Sequence, residues 1–250
     1  GALRFWLRQG AFCATSVTIV SGAMAERTQV RGFLAYTVVM ASFIYPIVVH
    51  WGCSGSGILD YEENGARQSL IGPPLVDFAG NGMLHLVGGV GALCGAAIVG
   101  PRRGRFESSD VDDAVNVPFV VVGCFFLWFG WFGFSAGSVP DMHDAASAQT
   151  AAVVAVNVAL APCASGLVVF LRRHRPSAPS PAEARGFSRG ILAGLVSITA
   201  GAATVTHWEA LLIGCAGGLV YEAASALVRL AGVDDAVDAF AVHGACGLWR

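Results

Sequence analysis

Val-Asp-Phe-Ala-Gly-Asn-Gly-Met-Leu-His (76–85) and Asp-Ala-Val-Asp-Ala-Phe-Ala-Val-His (235–243) set one frame twice. In each, an aspartate precedes a histidine by eight residues: Asp77 before His85, and Asp235 before His243. Small residues follow both histidines, with Gly88, Gly89, Gly91 and Gly95 after the first and Gly244 and Gly247 after the second. An ionisable side chain inside an apolar segment is costly, so it is read first as functional. A pattern repeated in two halves of a membrane chain points to a central site between two repeats.

The surrounding sequence supports a membrane setting. The chain is 55% hydrophobic and 13% charged, with mean hydropathy +0.63. A soluble domain carries about 25% charged residues. The 32 glycines suit close helix–helix packing in lipid. A net charge of −2 argues against a nucleic-acid partner. The seven cysteines show no Cys-x-x-Cys metal spacing, and six of them lie in apolar runs as small hydrophobes. The chain begins without methionine and ends at Arg250 inside an apolar run, so it is expected to be an internal piece of a longer protein.

Candidate spans run roughly over 9–24, 30–50, 77–99, 116–138, 147–171, 187–204 and 208–230, with another starting near 236. Lengths near ~20 residues fit a bilayer crossing. The fold expected is therefore all-α: a polytopic bundle of about seven spans plus the start of an eighth. Arginines concentrate in alternate loops: Arg27 and Arg31; Arg102, Arg103 and Arg105; Arg172, Arg173, Arg175, Arg185 and Arg189; and Arg229. The positive-inside rule makes those loops cytoplasmic, with Arg4 and Arg8 as mild violations. The proline-rich stretch 172–189 is expected to be a flexible cytoplasmic loop, and 107–115 a solvated one.

If Asp77 opens its helix, His85 sits two turns in, at roughly 12 Å from the start. His243 would lie equally deep from the opposite side, so both imidazoles reach the middle of the membrane. Desolvation favours the neutral ring, which has one donor and one acceptor. Two such rings can share a hydrogen bond, guide a small polar molecule or relay a proton. The plainer alternative is two unrelated histidines bonded to carbonyls; the matched frames favour function. Asp77 is a helix cap, a fixed charge that favours a cation, or both. In Phe-Phe-Leu-Trp-Phe-Gly-Trp-Phe-Gly-Phe-Ser-Ala-Gly-Ser (125–138), the first aromatics suit lipid. Phe134 and Ser138 share a helical face, with Trp131 nearby. Such a face can hold a small cation by cation–π attraction and one hydrogen bond.

These motifs resemble the ammonium transporter (Amt/Rh) family, most closely its plant-type Amt branch. The resemblance rests on Ser-Gly-Ala-Met-Ala-Glu-Arg-Thr-Gln (21–29), Tyr-Pro-Ile-Val-Val-His-Trp (45–51), Val-Asp-Phe-Ala-Gly (76–80) and Gly-Pro-Arg-Arg-Gly-Arg-Phe-Glu (100–107). Leu-Trp-Phe-Gly-Trp-Phe-Gly-Phe-Ser-Ala-Gly-Ser (127–138), Leu-Ala-Gly-Leu-Val-Ser-Ile-Thr-Ala-Gly (192–201) and His-Gly-Ala-Cys-Gly (243–247) complete it, in family order. It implies one partial ammonium transporter domain over 1–250, two inverted repeats, a homotrimer in the plasma membrane, and transport rather than enzymatic catalysis. The substrate implied is ammonium or ammonia, with methylammonium as an analogue, and no cofactor. By the same resemblance, Phe12 and Phe134 are gate phenylalanines. Ser138, Phe12, Asp77 and the position of Cys53 form the ammonium recruitment site. His85, His243 and Trp131 line the pore.

Four positions depart from the family pattern, one of them Arg250 where a glycine is expected after Gly-x-Trp. Cys53 falls where the family has a tryptophan, with Trp51 two residues earlier; Ser135 and Arg189 stand where asparagine is usual. Loss of the indole predicts weaker recruitment of the cation. Three rivals remain: an ammonium sensor of the same fold, a Rh-type gas channel, and a haem protein ligated by the two histidines.

Overall fold

The computed structural model describes residues 2–107, 116–139, 142–174, 176 and 181–249. Among the described residues the long helices are α1 (Ala2–Met24), α2 (Val30–Cys53), α3 (Asn81–Val99), α4 (Val117–Ala136), α5 (Ala145–Arg173), α6 (Pro181–Thr199) and α7 (His207–Leu230). A final turn, Phe240–Ala245, runs into a short helix, α8 (Cys246–Leu248). The all-α expectation holds, and the seven helices fall on the seven predicted spans. Five of them, α2, α3, α4, α5 and α7, are long and apolar enough to cross a membrane by length and composition. The other two carry charge: Arg8 lies in α1, and Glu183, Arg185 and Arg189 lie in α6.

Local chemistry sets the helix starts. Asn116 accepts from Phe119 N–H at 3.3 Å at the head of α4, and Asp144 accepts from Ser147 N–H at 2.8 Å at the head of α5. At α7, Thr206 and Glu209 form a reciprocal capping box. Between α2 and α3, Tyr61–Glu63 (β1) and Ala66–Gln68 (β2) pair as an antiparallel hairpin. Asn64 and Gly65 both take positive φ there, as a two-residue type I′ turn requires.

Two expectations need correction. α6 begins at Pro181, so 181–189 is helix and not the second half of a loop over 172–189. Arg189 on this helix is not a solvated loop residue: its guanidinium donates to Asp238 at 2.9 Å and to Ala236 O at 3.2 Å. The solvated loop expected over 107–115 lies, from residue 108 on, outside the described residues. The second correction concerns Asp77, which does not open a helix. It stands four residues ahead of Asn81, in a turn closed by Gly80 at φ 87°. His85 is therefore about one turn into α3, roughly 6 Å from its start.

The core has two parts. One gathers Phe12, Ile19, Ala23, Tyr45, Leu84 and Ala92; the other gathers Trp131, Val158, Leu195, Ile198, Tyr221 and Val242. Phe134 packs against both and joins them. At one end, loop arginines converge on Asp234. Arg102 contributes two bonds of 2.8 and 2.9 Å, and Arg105 one of 3.2 Å. Arg27 donates to the Asp234 carbonyl at 2.5 Å, and Arg102 also reaches Glu26 at 2.8 Å. These arginines tie three loops together instead of facing solvent alone.

Candidate functional site

The site is built where α3 meets the Phe240–Ala245 turn. Each segment starts as a π-helical turn, and each is capped by the aspartate of its frame. Asp77 accepts from the N–H groups of Asn81, Gly82 and Met83 at 2.5, 2.9 and 3.1 Å. Asp235 accepts from Phe240 N–H at 2.7 Å. The carboxylates answer the free donors that every helix start presents. The segments then cross closely. Asn81 Nδ2 donates to Gly247 O at 3.2 Å, and a Cβ on Gly89 would run into the Gly244 backbone.

That crossing brings the predicted histidines together. His85 Nδ1 and His243 Nδ1 are 3.1 Å apart, with ring centroids 5.1 Å apart and planes 14° from parallel. One Nδ1 must carry the hydrogen and the other must accept it. In the neutral pair, one Nε2 is then an acceptor and the other a donor. Within the described residues His85 Nε2 is buried with no hydrogen-bond partner, so it is free to meet a guest molecule.

Aromatic rings enclose the pair. Trp131 stacks on His85 with centroids 5.0 Å apart and planes 6° from parallel. Its indole N–H donates to Thr199 Oγ1 at 3.0 Å, and Thr199 donates to Leu195 O at 2.7 Å, which fixes the ring. Phe134 lies 6.0 Å from His85 and 4.7 Å from Phe12, so the two phenylalanines form a stack over the histidines. Phe12 is buried, at 8% exposure, so the pair of rings lies between the histidines and the outside.

On the other side of Phe12 lies a cavity of about 70 Å³. Cys53, Asp77, Tyr45, Gln9 and Arg8 line it together with Phe12. It exceeds the ~10–15 Å³ that one water needs, so an ammonium-sized ion fits. Trp51 is 42% exposed and is not on this wall, so it does not fill the place of the missing indole. Ser138 is not on the wall either; it is buried and donates to Phe134 O at 2.9 Å. The structure thus unites Phe12, Phe134, His85, His243 and Trp131 in one column, and Cys53, Asp77 and Phe12 at its mouth. Sequence reasoning missed Thr199, Asn81 and Arg8 as site residues. For Arg8 a signal existed: it stands four residues before Phe12, on the same helical face.

A model of the Ammonium Transporter Family matches residues 2–250. The chain belongs to this family. It is 35% identical over 256 residues to ammonium transporter 1 member 2 of Arabidopsis thaliana, covering 98% of this chain and 49% of that protein. It is 36% identical over 254 residues to ammonium transporter Amt2 of Archaeoglobus fulgidus, covering 99% and 52%. Among solved structures, Mep2 of Candida albicans superposes with a TM-score of 0.80 at 27% identity, covering 96% of this chain and 49% of that one. A structure titled Sensor Amt Protein superposes with a TM-score of 0.81 at 33% identity, covering 94% and 56%. This ammonium transporter family chain is a multi-pass membrane protein, and it spans about half the length of the curated relatives it matches.

Proposed function

We propose that the protein carrying this chain transports ammonium across a membrane, passing it as ammonia along the column of His85 and His243. The observation that carries this reading is the 3.1 Å imidazole pair, closed off by the Phe12–Phe134 stack. Ammonium enters the cavity of Phe12, Asp77 and Cys53, where the Asp77 charge and the Phe12 ring favour a cation. The phenylalanine stack excludes its hydration shell. A dehydrated ammonium ion loses stabilisation at the apolar column and gives its proton to water in the outer cavity, and the neutral ammonia left then hydrogen-bonds along the rings. Potassium has no proton to release and meets the full dehydration cost. Ser138 serves the gate by holding the Phe134 carbonyl, and Trp131 by holding the His85 ring flat.

The reading extends to a homotrimer in the plasma membrane, each subunit with its own path, on family resemblance. A second reading, ammonium sensing by the same fold, is favoured by one observation: Cys53 stands on the cavity wall where an aromatic face would strengthen cation binding. The test is methylammonium uptake by the complete protein in yeast lacking its own ammonium transporters. Saturable uptake supports transport. No uptake with the protein present in the membrane favours sensing.

A further inference from the structure

We propose that Arg8 is a tethered cation that competes with ammonium for the outer face of Phe12, and so sets a low affinity for the charged substrate. The inference rests on the transport reading of the same site. Arg8 is half-buried in α1, one turn before Phe12. Its guanidinium carbon lies 5.8 Å from the centroid of the Phe5 ring and 6.0 Å from that of Phe12. Both distances fall within the reach of a cation–π contact. Arg8 also lines the cavity that ends on Phe12.

Among the described residues Arg8 forms no ion pair, so its charge is not cancelled by a carboxylate of its own. The groups that face it across the cavity are Asp77, Cys53 and Tyr45. Asp77 is the one carboxylate among them, and both its oxygens already accept from backbone N–H groups. A Phe12 face already shared with a guanidinium has less to offer a second cation. Two unit charges about 6 Å apart at an effective dielectric near 20 disfavour joint occupancy by roughly a hundredfold. Asp77 offsets part of that. A neutral ammonia molecule meets no such repulsion, so the arrangement disfavours the ion specifically.

The test uses the complete purified protein and methylammonium as the probe. Its Kd is measured by calorimetry for wild type, Arg8→Leu and Arg8→Lys, with uptake in yeast measured alongside. Removing the charge is expected to tighten binding roughly tenfold in Arg8→Leu, while Arg8→Lys, which keeps a cation, stays near wild type. If Arg8→Leu does not fold, Arg8→Gln removes the same charge and carries the same expectation. A Kd that is unchanged or weaker in the uncharged variant overturns the proposal. If the Kd tightens as expected but no variant transports, the Arg8 assignment stands and the transport reading falls. If transport persists and the Kd does not respond, only the Arg8 assignment falls.

Discussion

Gly89, one turn after His85, meets the backbone of Gly244, the residue that follows His243, with no room for a Cβ on Gly89. That contact fixes the depth at which α3 and the Phe240–Ala245 turn cross, and so the 3.1 Å spacing of His85 and His243. Gly89→Ala is expected to push the segments apart and to destabilise the protein by about 1–3 kcal/mol, the usual scale of overpacking. Thermal unfolding in detergent reads the loss, and uptake is expected to fall with it.

Asp77 holds its helix start by accepting three backbone N–H groups through two oxygens. In Asp77→Asn only one oxygen remains to accept, and an amide N–H₂ faces backbone donors. The expected loss is about 1 kcal/mol or more of stability, on the scale of a helix cap. Uptake is expected to fall further than stability alone explains, because His85 sits on the turn that Asp77 fixes. Asp77→Glu, with both oxygens retained, should recover part of the activity if capping is the role.

Much of this was legible in the sequence, and the reasons are physical. The two Asp-x7-His frames were visible because buried charge in an apolar run has few structural explanations. The span count followed from length and hydropathy. What escaped was the local geometry at the helix starts. Eight residues from aspartate to histidine suggested two helical turns, yet Gly80 at φ 87° breaks the chain before Asn81, so half that distance is turn. The start of α6 escaped because Arg185 and Arg189 look solvated by composition, whereas Arg189 finds a buried partner 49 residues away in Asp238. Ser138 was expected to offer its hydroxyl to the cation, but that hydroxyl is spent on the Phe134 carbonyl.

Cys53 lines the mouth cavity with Phe12 and Asp77. An indole at that position adds one cation–π face, worth about 0.5–2 kcal/mol of cation affinity. Cys53→Trp is expected to lower the KM for methylammonium by roughly two- to thirtyfold. A KM that stays at the wild-type value, measured from uptake at graded concentrations, counts against recruitment of the ion at this wall.

The Phe12–Phe134 stack is expected to be the barrier to hydrated ions. Phe134→Ala opens it, since the two rings stand 4.7 Å apart and nothing of similar size replaces the lost one. Potassium current in oocytes expressing the variant is the measurement. Wild type is expected to carry none and Phe134→Ala a measurable current.

Asp234 has a stability role at the loop end of the bundle. Burial alone would raise its carboxyl, but hydrogen bonds from the Arg102 side chain and backbone, with the charges of Arg102 and Arg27, outweigh it and hold the group at about 2. A depressed carboxyl contributes stability above its unfolded value near 3.9 and loses it as pH falls through the folded value. Wild type is therefore expected to lose stability between pH about 4 and about 2. Asp234→Asn is expected to lose about 3 kcal/mol at neutral pH, because three arginines are left facing a neutral amide. It should also lose the wild-type pH dependence across that window, which thermal unfolding at a series of pH values reads directly.

The most direct test of the account is methylammonium uptake by the complete protein with both histidines removed. In His85→Ala/His243→Ala, with expression and membrane insertion verified, uptake is expected to fall by roughly a hundredfold, the scale of losing a positioned proton-handling group. Uptake at the wild-type rate would contradict the account, because the column beneath Phe12 and Phe134 would then carry its substrate without the rings that define it.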